Sequence, residues 1–232
     1  LEGIKIKEPA FGFPAVWIKA DQKEKSELMG YTIVTPSAVL ATHISELLRS
    51  NADQILTRQD VHDLVEHLKK TQPTLIEEVI PTLMTKGDLE KILRNLLSER
   101  VSVRDLGTIL EVVSDHIKSE KDLDILTEFI RQKMGHSISS QYKNSDGQLF
   151  ALTLAPELEK LLHEAIEESK KNGLKPAQAL AFTLRTEILQ RLFSVLSAKI
   201  EQLEAENKQP ILITAPSIRV YLRKLLEPIF KD

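Results

Sequence analysis

The stretch DLEKILRNLLSERVSVRDLGTILEVVSDHI, residues 88–117, decides the fold class. It carries two apolar stripes separated by the charged connection SERVSVRD. Leu89, Ile92, Leu93, Leu96 and Leu97 form the first stripe; Leu106, Ile109, Leu110, Val113 and Ile117 form the second. Both follow i, i+3, i+4 spacing, which gathers apolar side chains on one face of a helix. The pair predicts a helical hairpin packed between other elements. Ser102 is the expected N-cap of the second helix, with Asp105 three residues on as a weak capping box.

Outward from this hairpin, composition sets the limits. The chain has 232 residues, 42% of them hydrophobic, enough for one large core or several small ones. It holds no apolar run of about 18 residues, the length a membrane span needs, and its start, LEGIKIKEPAF, lacks a signal-peptide core. The absence of cysteine excludes disulfides, thiolate nucleophiles and thiolate zinc sites. A net charge of −3 argues against nucleic acid as a partner. Residues 35–83 hold four bases against seven acids, and residues 179–232 eight bases against six acids. The acidic segment is either a solvated helical face or a surface that steers basic partners.

The opening reads as strand and turn. PAVWIKA (14–20) and YTIVT (31–35) are β-prone, joined by the charged, weakly helical ADQKEKSELMG, which ends at Gly30. Two strands do not make a stable unit by themselves, so the first unit is expected to draw on residues upstream of Leu1. From Thr35 the periodicity becomes helical. Thr35 caps a helix with Pro36 at its first position, and Val39, Leu40, Ile44, Leu47 and Leu48 are its expected buried stripe. A helix follows Thr57, with Asp60 at its third position and Val61, Leu64, Val65 and Leu68 inward. Pro73 and Pro81 bracket another. DLDILTEFIRQKM (122–134) is expected to end at a left-handed Gly135. After the turn KNSDGQ (143–148), LFALTLA reads as a strand, and Pro156 opens a helix with Leu158, Leu161, Leu162, Ala165 and Ile166 on one side. KKNGLKP (170–176) is the clearest linker; a long helix (177–205), a strand ILIT (211–214) and a final helix follow. That last pair calls for a further strand, so the C-terminus is also expected to be clipped.

Enzyme chemistry finds no footing. No glycine-rich phosphate loop and no G-x-S-x-G elbow is present. His62 and His67 stand about 140° apart on a helix, which is not the i, i+4 pairing of zinc helices. Glu77–Glu78 and Asp122/Asp124 are acids without a catalytic constellation, and helix-start electrostatics accounts for the aspartates. The hairpin could instead be a helix-turn-helix regulator reading DNA, but Asp105, Glu111 and Asp115 on its second helix oppose entry into a major groove.

Several segments then occur in a telling order: EPAFGFPAVWI (8–18), GYTIVTPSAVLATHISEL (30–47), ADQILTRQDV (52–61), LIEEVIP (75–81) and the hairpin itself. With IRQKMGHSISSQY (130–142) and PILITAPSIRVYLRKLLE (210–227), this series closely resembles the cytoplasmic domain of the FlhA/LcrD family of type III secretion export-gate proteins. ADQILTRQ and ATHISEL resemble the flagellar branch more than the injectisome branch, which stays as the alternative.

The resemblance implies an α+β, mainly helical, multi-subdomain cytoplasmic domain with small sheets and a helical insert, truncated at both ends. By its pattern, residues 1–34 and 84–103 form a first subdomain, 35–83 the insert, 104–178 a ring-building subdomain and 179–232 a partial fourth. It implies no enzyme and no cofactor. It implies a docking platform of the flagellar protein export gate, at the cytoplasmic face of the bacterial inner membrane. The implied partners are flagellar chaperone–substrate complexes, export ATPase components, an export-switch protein and further copies in a nonameric ring. Carried over by position, the chaperone dock comprises Asp53 as its acidic residue, Leu56 at its centre where relatives often have Phe, and Gly87 at the far rim in place of a small polar residue. Val79 and Met84 line the wall, with Ile44 on the preceding helix. Substituting Asp53 or Leu56 by alanine is expected to weaken chaperone binding and spare the fold. Lys91, Arg94, Arg100 and Arg104 are expected to serve packing between subdomains or subunits.

Overall fold

The computed structural model describes residues 2–173, 180–181, 183–206 and 208–230. A two-stranded antiparallel ribbon opens it, β1 (Ile4–Lys7) against β2 (Pro14–Trp17), with Ile4 opposite Trp17. Gly3 lies against β2 so closely that a Cβ there would meet the Trp17 carbonyl oxygen at 2.2 Å, so only glycine fits. After a 3-10 turn (Ala20–Gln22) and α1 (Lys23–Leu28), residues 31–35 form no strand. This corrects the β reading of YTIVT. The Tyr31 amide is used in closing α1, bonded to the Ser26 carbonyl, and among the described residues no strand pairs with this stretch. The partner of β2 is the lysine-alternating IKIK instead.

The helices that follow are α2 (Pro36–Ser50), α3 (Ala52–Ile55), α4 (Arg58–Lys69), α5 (Pro73–Val79), α6 (Lys86–Ser98), α7 (Leu106–His116), α8 (Leu123–Lys133) and α9 (Gly135–Ser140). The stripes of α6 and α7 deliver the first core. Leu89, Ile92, Leu93, Leu96, Ile109, Leu110 and Val113 are fully buried with Val61, Val65, Ile76 and Ile130, and this cluster runs without a break from Leu56 to Met134. It crosses residues 83/84 and 103/104. Full burial of each such aliphatic side chain contributes about 1.5–3 kcal/mol.

α6 and α7 both feed this core but pack on other helices, α6 on α3, α4 and α8 and α7 on α5 and α8, which corrects the expected pairing of the two as a hairpin. The C-terminus of α6 closes with the Val101 amide bonded to the Leu96 carbonyl and the Arg100 amide to Leu97, both at 2.9 Å. That is a Schellman turn with arginine, at φ +56°, where glycine is usual. Val101 is then buried, which holds the connection extended and delays the next helix. The cap of α7 is therefore Asp105, whose carboxylate accepts from the Thr108 amide at 3.1 Å; Ser102 accepts only from the Arg104 amide. Gly135 also departs from expectation. Its φ is not positive, and the chain enters α9 so that Ile138 can pack on the core.

The second core is smaller. β3 (Leu152–Thr153) runs parallel to β4 (Leu212–Ile213), beside α10 (Pro156–Lys171), α11 (Thr186–Ala205) and α12 (Pro216–Leu226). Leu162, Ile166, Leu180, Leu196, Ile218 and Leu222 are buried together. The expected strand over LFALTLA shrinks to two residues, and the expected 177–205 helix is interrupted: residues 180, 181 and 183 are helical, the helix breaks at 184–185 where Arg185 is extended at ψ 142°, and α11 begins at Thr186, with residues 177–179 and 182 outside the described part. Lys170 and Lys171 of KKNGLKP finish α10, Gly173 takes φ +69°, and residues 174–176 lie outside the described part.

Candidate functional site

One amphipathic helix keeps its apolar face uncovered. α2 is capped as its sequence directs, with the Thr35 hydroxyl accepting from the Ala38 amide at 3.3 Å. Yet none of its residues is buried, and Leu40, Ile44, Leu47 and Leu48 are 58, 47, 50 and 55% exposed. This corrects the expected burial of that stripe. The physical reason lies in how α2 is held. It turns into the short α3 and is tied to the corner beyond α6 by Glu46, 3.0 Å from Arg100 and 3.4 Å from Arg49, so the ion-paired side leans inward and the apolar side faces out.

α3 supplies the next contact. At its end the Leu56 carbonyl accepts a 2.6 Å hydrogen bond from Arg94 Nη2 of α6, while Arg94 Nε donates to Glu90 at 3.0 Å. Glu90 also lies 3.3 Å from Arg58 at the start of α4. Successive anchors on Arg100, Arg94 and Glu90 therefore lay α2 and α3 along α6, whose 13 residues amount to roughly 20 Å of helix. Of the suspected arginines and lysine, Arg94 and Arg100 do this work within the chain, whereas Lys91 and Arg104 are exposed.

The six residues assigned to the dock fall into two groups. Leu56 (9% exposed), Met84 (3%) and Val79 (0%) belong to the first core. Ile44 and Gly87 are exposed and Asp53 is half-buried in α3; among the described residues the Asp53 carboxylate pairs with no base. Gly87 is the second residue of α6, where a Cβ would meet only the Thr85 hydroxyl at 3.5 Å, so a side chain fits there. Loss of Leu56 side-chain atoms disturbs packing as well as any surface, so Leu56→Ala is expected to cost stability alongside any change in binding.

Two capping boxes fix this region. The Thr57 hydroxyl and amide both donate to Asp60, at 2.6 and 2.8 Å, and those bonds hold its carboxyl below the ordinary range. Thr85 does the same for Asp88, at 2.7 and 3.0 Å with the same consequence. Beside them, Val65, Ile76, Ile80 and Pro81 floor a groove of about 320 Å³ rimmed by Glu66, Lys69 and Lys86. Among the described residues no group of three or more His, Asp or Glu side chains can hold a metal, and no helix is long and apolar enough to cross a membrane. Sequence reasoning missed Glu46 as an anchor; its position on α2, off the apolar stripe, was the available signal.

The comparisons identify the lineage. The FHIPEP family model matches residues 1–232. The flagellar biosynthesis protein FlhA of Bacillus subtilis is 34% identical over the whole chain, and that of Helicobacter pylori 36% identical over 98% of it. The chain spans only 33% and 30% of their lengths. Among solved structures, the Chlamydia pneumoniae CdsV protein is 29% identical with a TM-score of 0.78, covering 96% of this chain and 62% of CdsV. CdsV in complex with CdsO matches at 28% identity and TM-score 0.75, covering 94% of this chain and 62% of that one. Nonameric EPEC SctV-C, at 22% identity and TM-score 0.74 over 99% of this chain and 67% of its own, shares the fold. The mainly helical architecture with small sheets is theirs too. The chain belongs to the FHIPEP family, the export-gate components of flagellar and other type III secretion systems.

Proposed function

We propose that this chain presents α2 and α3 as a docking platform for flagellar chaperone–substrate complexes. The observation that carries the reading is the uncovered stripe Leu40, Ile44, Leu47 and Leu48 beside the unpaired Asp53. An amphipathic partner helix laid along α2 buries its own apolar face there, with Asp53 accepting from a tyrosine or a backbone donor. Gly87 lies at the far end of α6, while Leu56, Val79 and Met84 support the platform from beneath. The division into a first subdomain (1–34, 84–103), an insert (35–83), a ring-building subdomain (104–178) and a partial fourth (179–232) belongs to the same reading. So do ATPase-complex and switch-protein partners, a nonameric ring and a place at the cytoplasmic face of the inner membrane. The CdsV–CdsO complex and the nonameric SctV-C assembly support the reading that such domains take protein partners and self-associate.

Calorimetric titration of a flagellar chaperone–substrate pair tests the proposal. Ile44→Asp and Asp53→Ala each weaken binding about tenfold or more, in the range of a lost interface anchor, with unfolding midpoints unchanged. Unaltered affinity in both variants refutes it. Binding of injectisome chaperones in preference to flagellar ones would instead favour the sister branch.

A further inference from the structure

The two hydrophobic cores share no residue, and they meet through charges. On α12, Ile218, Tyr221 and Leu222 are buried in the second core, while Arg219, Arg223 and Lys224 are turned towards α8 and the end of α6. Arg219 donates through Nε and Nη2 to the two carboxylate oxygens of Glu128, at 2.5 and 2.6 Å, and from Nη2 to Glu99 at 2.9 Å. Glu99 gathers two more guanidiniums, Arg131 at 2.8 Å and Arg223 at 3.5 Å, and its side chain is 12% exposed. Lys224 reaches Asp124 at 2.5 Å, whose other oxygen accepts from Asn95 at 3.0 Å. A cleft of about 90 Å³ remains between these helices, lined by Asn95, Asp124, Thr127, Val220 and Lys224 among others.

Burial opposes the Glu99 charge, but the Arg219 hydrogen bond and the three arginine charges outweigh it and hold the carboxyl below its ordinary range. Asp124 is likewise held low, the Lys224 hydrogen bond and charge overcoming burial. Glu99 and Asp124 are thus ionised at neutral pH.

We propose that this seam is an ionic latch: the second core, carried on α12, releases from α8 and α6 as ionic strength rises, and neither core opens when it does. Apolar burial penalises separation of surfaces at any salt concentration. Ion pairs behave differently, because the separated charges recover hydration and salt then screens them within a Debye length of about 10 Å at 0.1 M and about 3 Å at 1 M. α12 lies close against α8, and the side chains that join the two there are charged. The seam joins residues about 90–120 positions apart, so it acts on the relation between units and not on local helix formation.

Because the chain has no cysteine, dyes can be attached at Asp63→Cys on α4 and Val195→Cys on α11, both exposed sites. Single-molecule energy transfer on this labelled chain is expected to give one narrow distance distribution at about 50 mM NaCl and a longer, broader one at about 1 M. Arg219→Met is expected to give the broad distribution at both salt concentrations, with far-UV circular dichroism unchanged. Asp124→Lys broadens it at low salt, and adding Lys224→Asp restores the narrow one. A distribution indifferent to salt and to Arg219→Met overturns the latch. Loss of helical signal in Arg219→Met, or on adding salt to the unsubstituted chain, overturns it as well, since the seam would then be holding the cores themselves together.

Discussion

α2 and the α6–α7 segment carry the same kind of apolar stripe and meet opposite fates. In α6 and α7, Leu89, Ile92, Leu93, Ile109 and Leu110 are wholly enclosed; in α2, Leu40, Ile44, Leu47 and Leu48 stay about half open. Helical spacing fixes which side chains share a face, but what covers that face is decided by elements distant in sequence. α6 is met by α3, α4 and α8, whereas α2 meets α3 and is tethered through Glu46 to Arg100. A stripe that folding leaves uncovered is available to a partner.

The largest test of this contrast removes equivalent side chains. Ile109→Ala should cost about 2–5 kcal/mol in urea unfolding, because it opens a cavity in a closed core. Ile44→Ala should stay within about 0.5 kcal/mol, as exposed substitutions do. A matching loss at Ile44 would mean that the α2 stripe is covered in solution, and the contrast would collapse.

Acid separates the two regions next. Asp88, at the start of α6, has its carboxyl held low by Thr85, so its stabilising effect is present above the ordinary value of 3.8 and is lost as pH falls through the lowered one. Glu99 and Asp124 follow the same sign from ordinary values of 4.5 and 3.8. α2 is capped by Thr35, whose hydroxyl does not titrate in this range. Amide exchange at Leu89 should therefore speed up below about pH 4, relative to its intrinsic rate, while Ala38 follows its intrinsic rate. Equal acceleration at both amides would contradict this.

The smallest effect concerns the connection between α6 and α7. Asp105→Ala should cost about 1 kcal/mol and Ser102→Ala only a few tenths, measured by thermal or urea unfolding. The reverse order would restore the cap that sequence spacing suggests.

Much of the architecture was legible because it is local. The Thr35 cap, the Thr57–Asp60 box, the α10 stripe and the stripes of α6 and α7 follow from residues within one or two helical turns. What escaped is non-local. β2 finds its partner in IKIK, whose lysines hide a strand, while the more β-prone YTIVT has none. Ser102 and Gly135 read as cap and stop, but burial of Val101 and packing of Ile138 move those boundaries. The Arg219–Glu128 pair joins positions 91 residues apart, beyond anything spacing conveys. Of the dock, the sequence conveyed types and order; it did not convey that Val79 and Met84 lie inside while Ile44 and Asp53 face outward or nearly so.

The central claim is that α2 and α3 receive a partner. Hydrogen–deuterium exchange of the chain, alone and with a saturating flagellar chaperone–substrate pair, tests it most directly. Added protection over residues 36–56, with residues 89–117 unchanged, is the predicted result. Binding that protects other segments and leaves 36–56 exchanging as before would contradict the account.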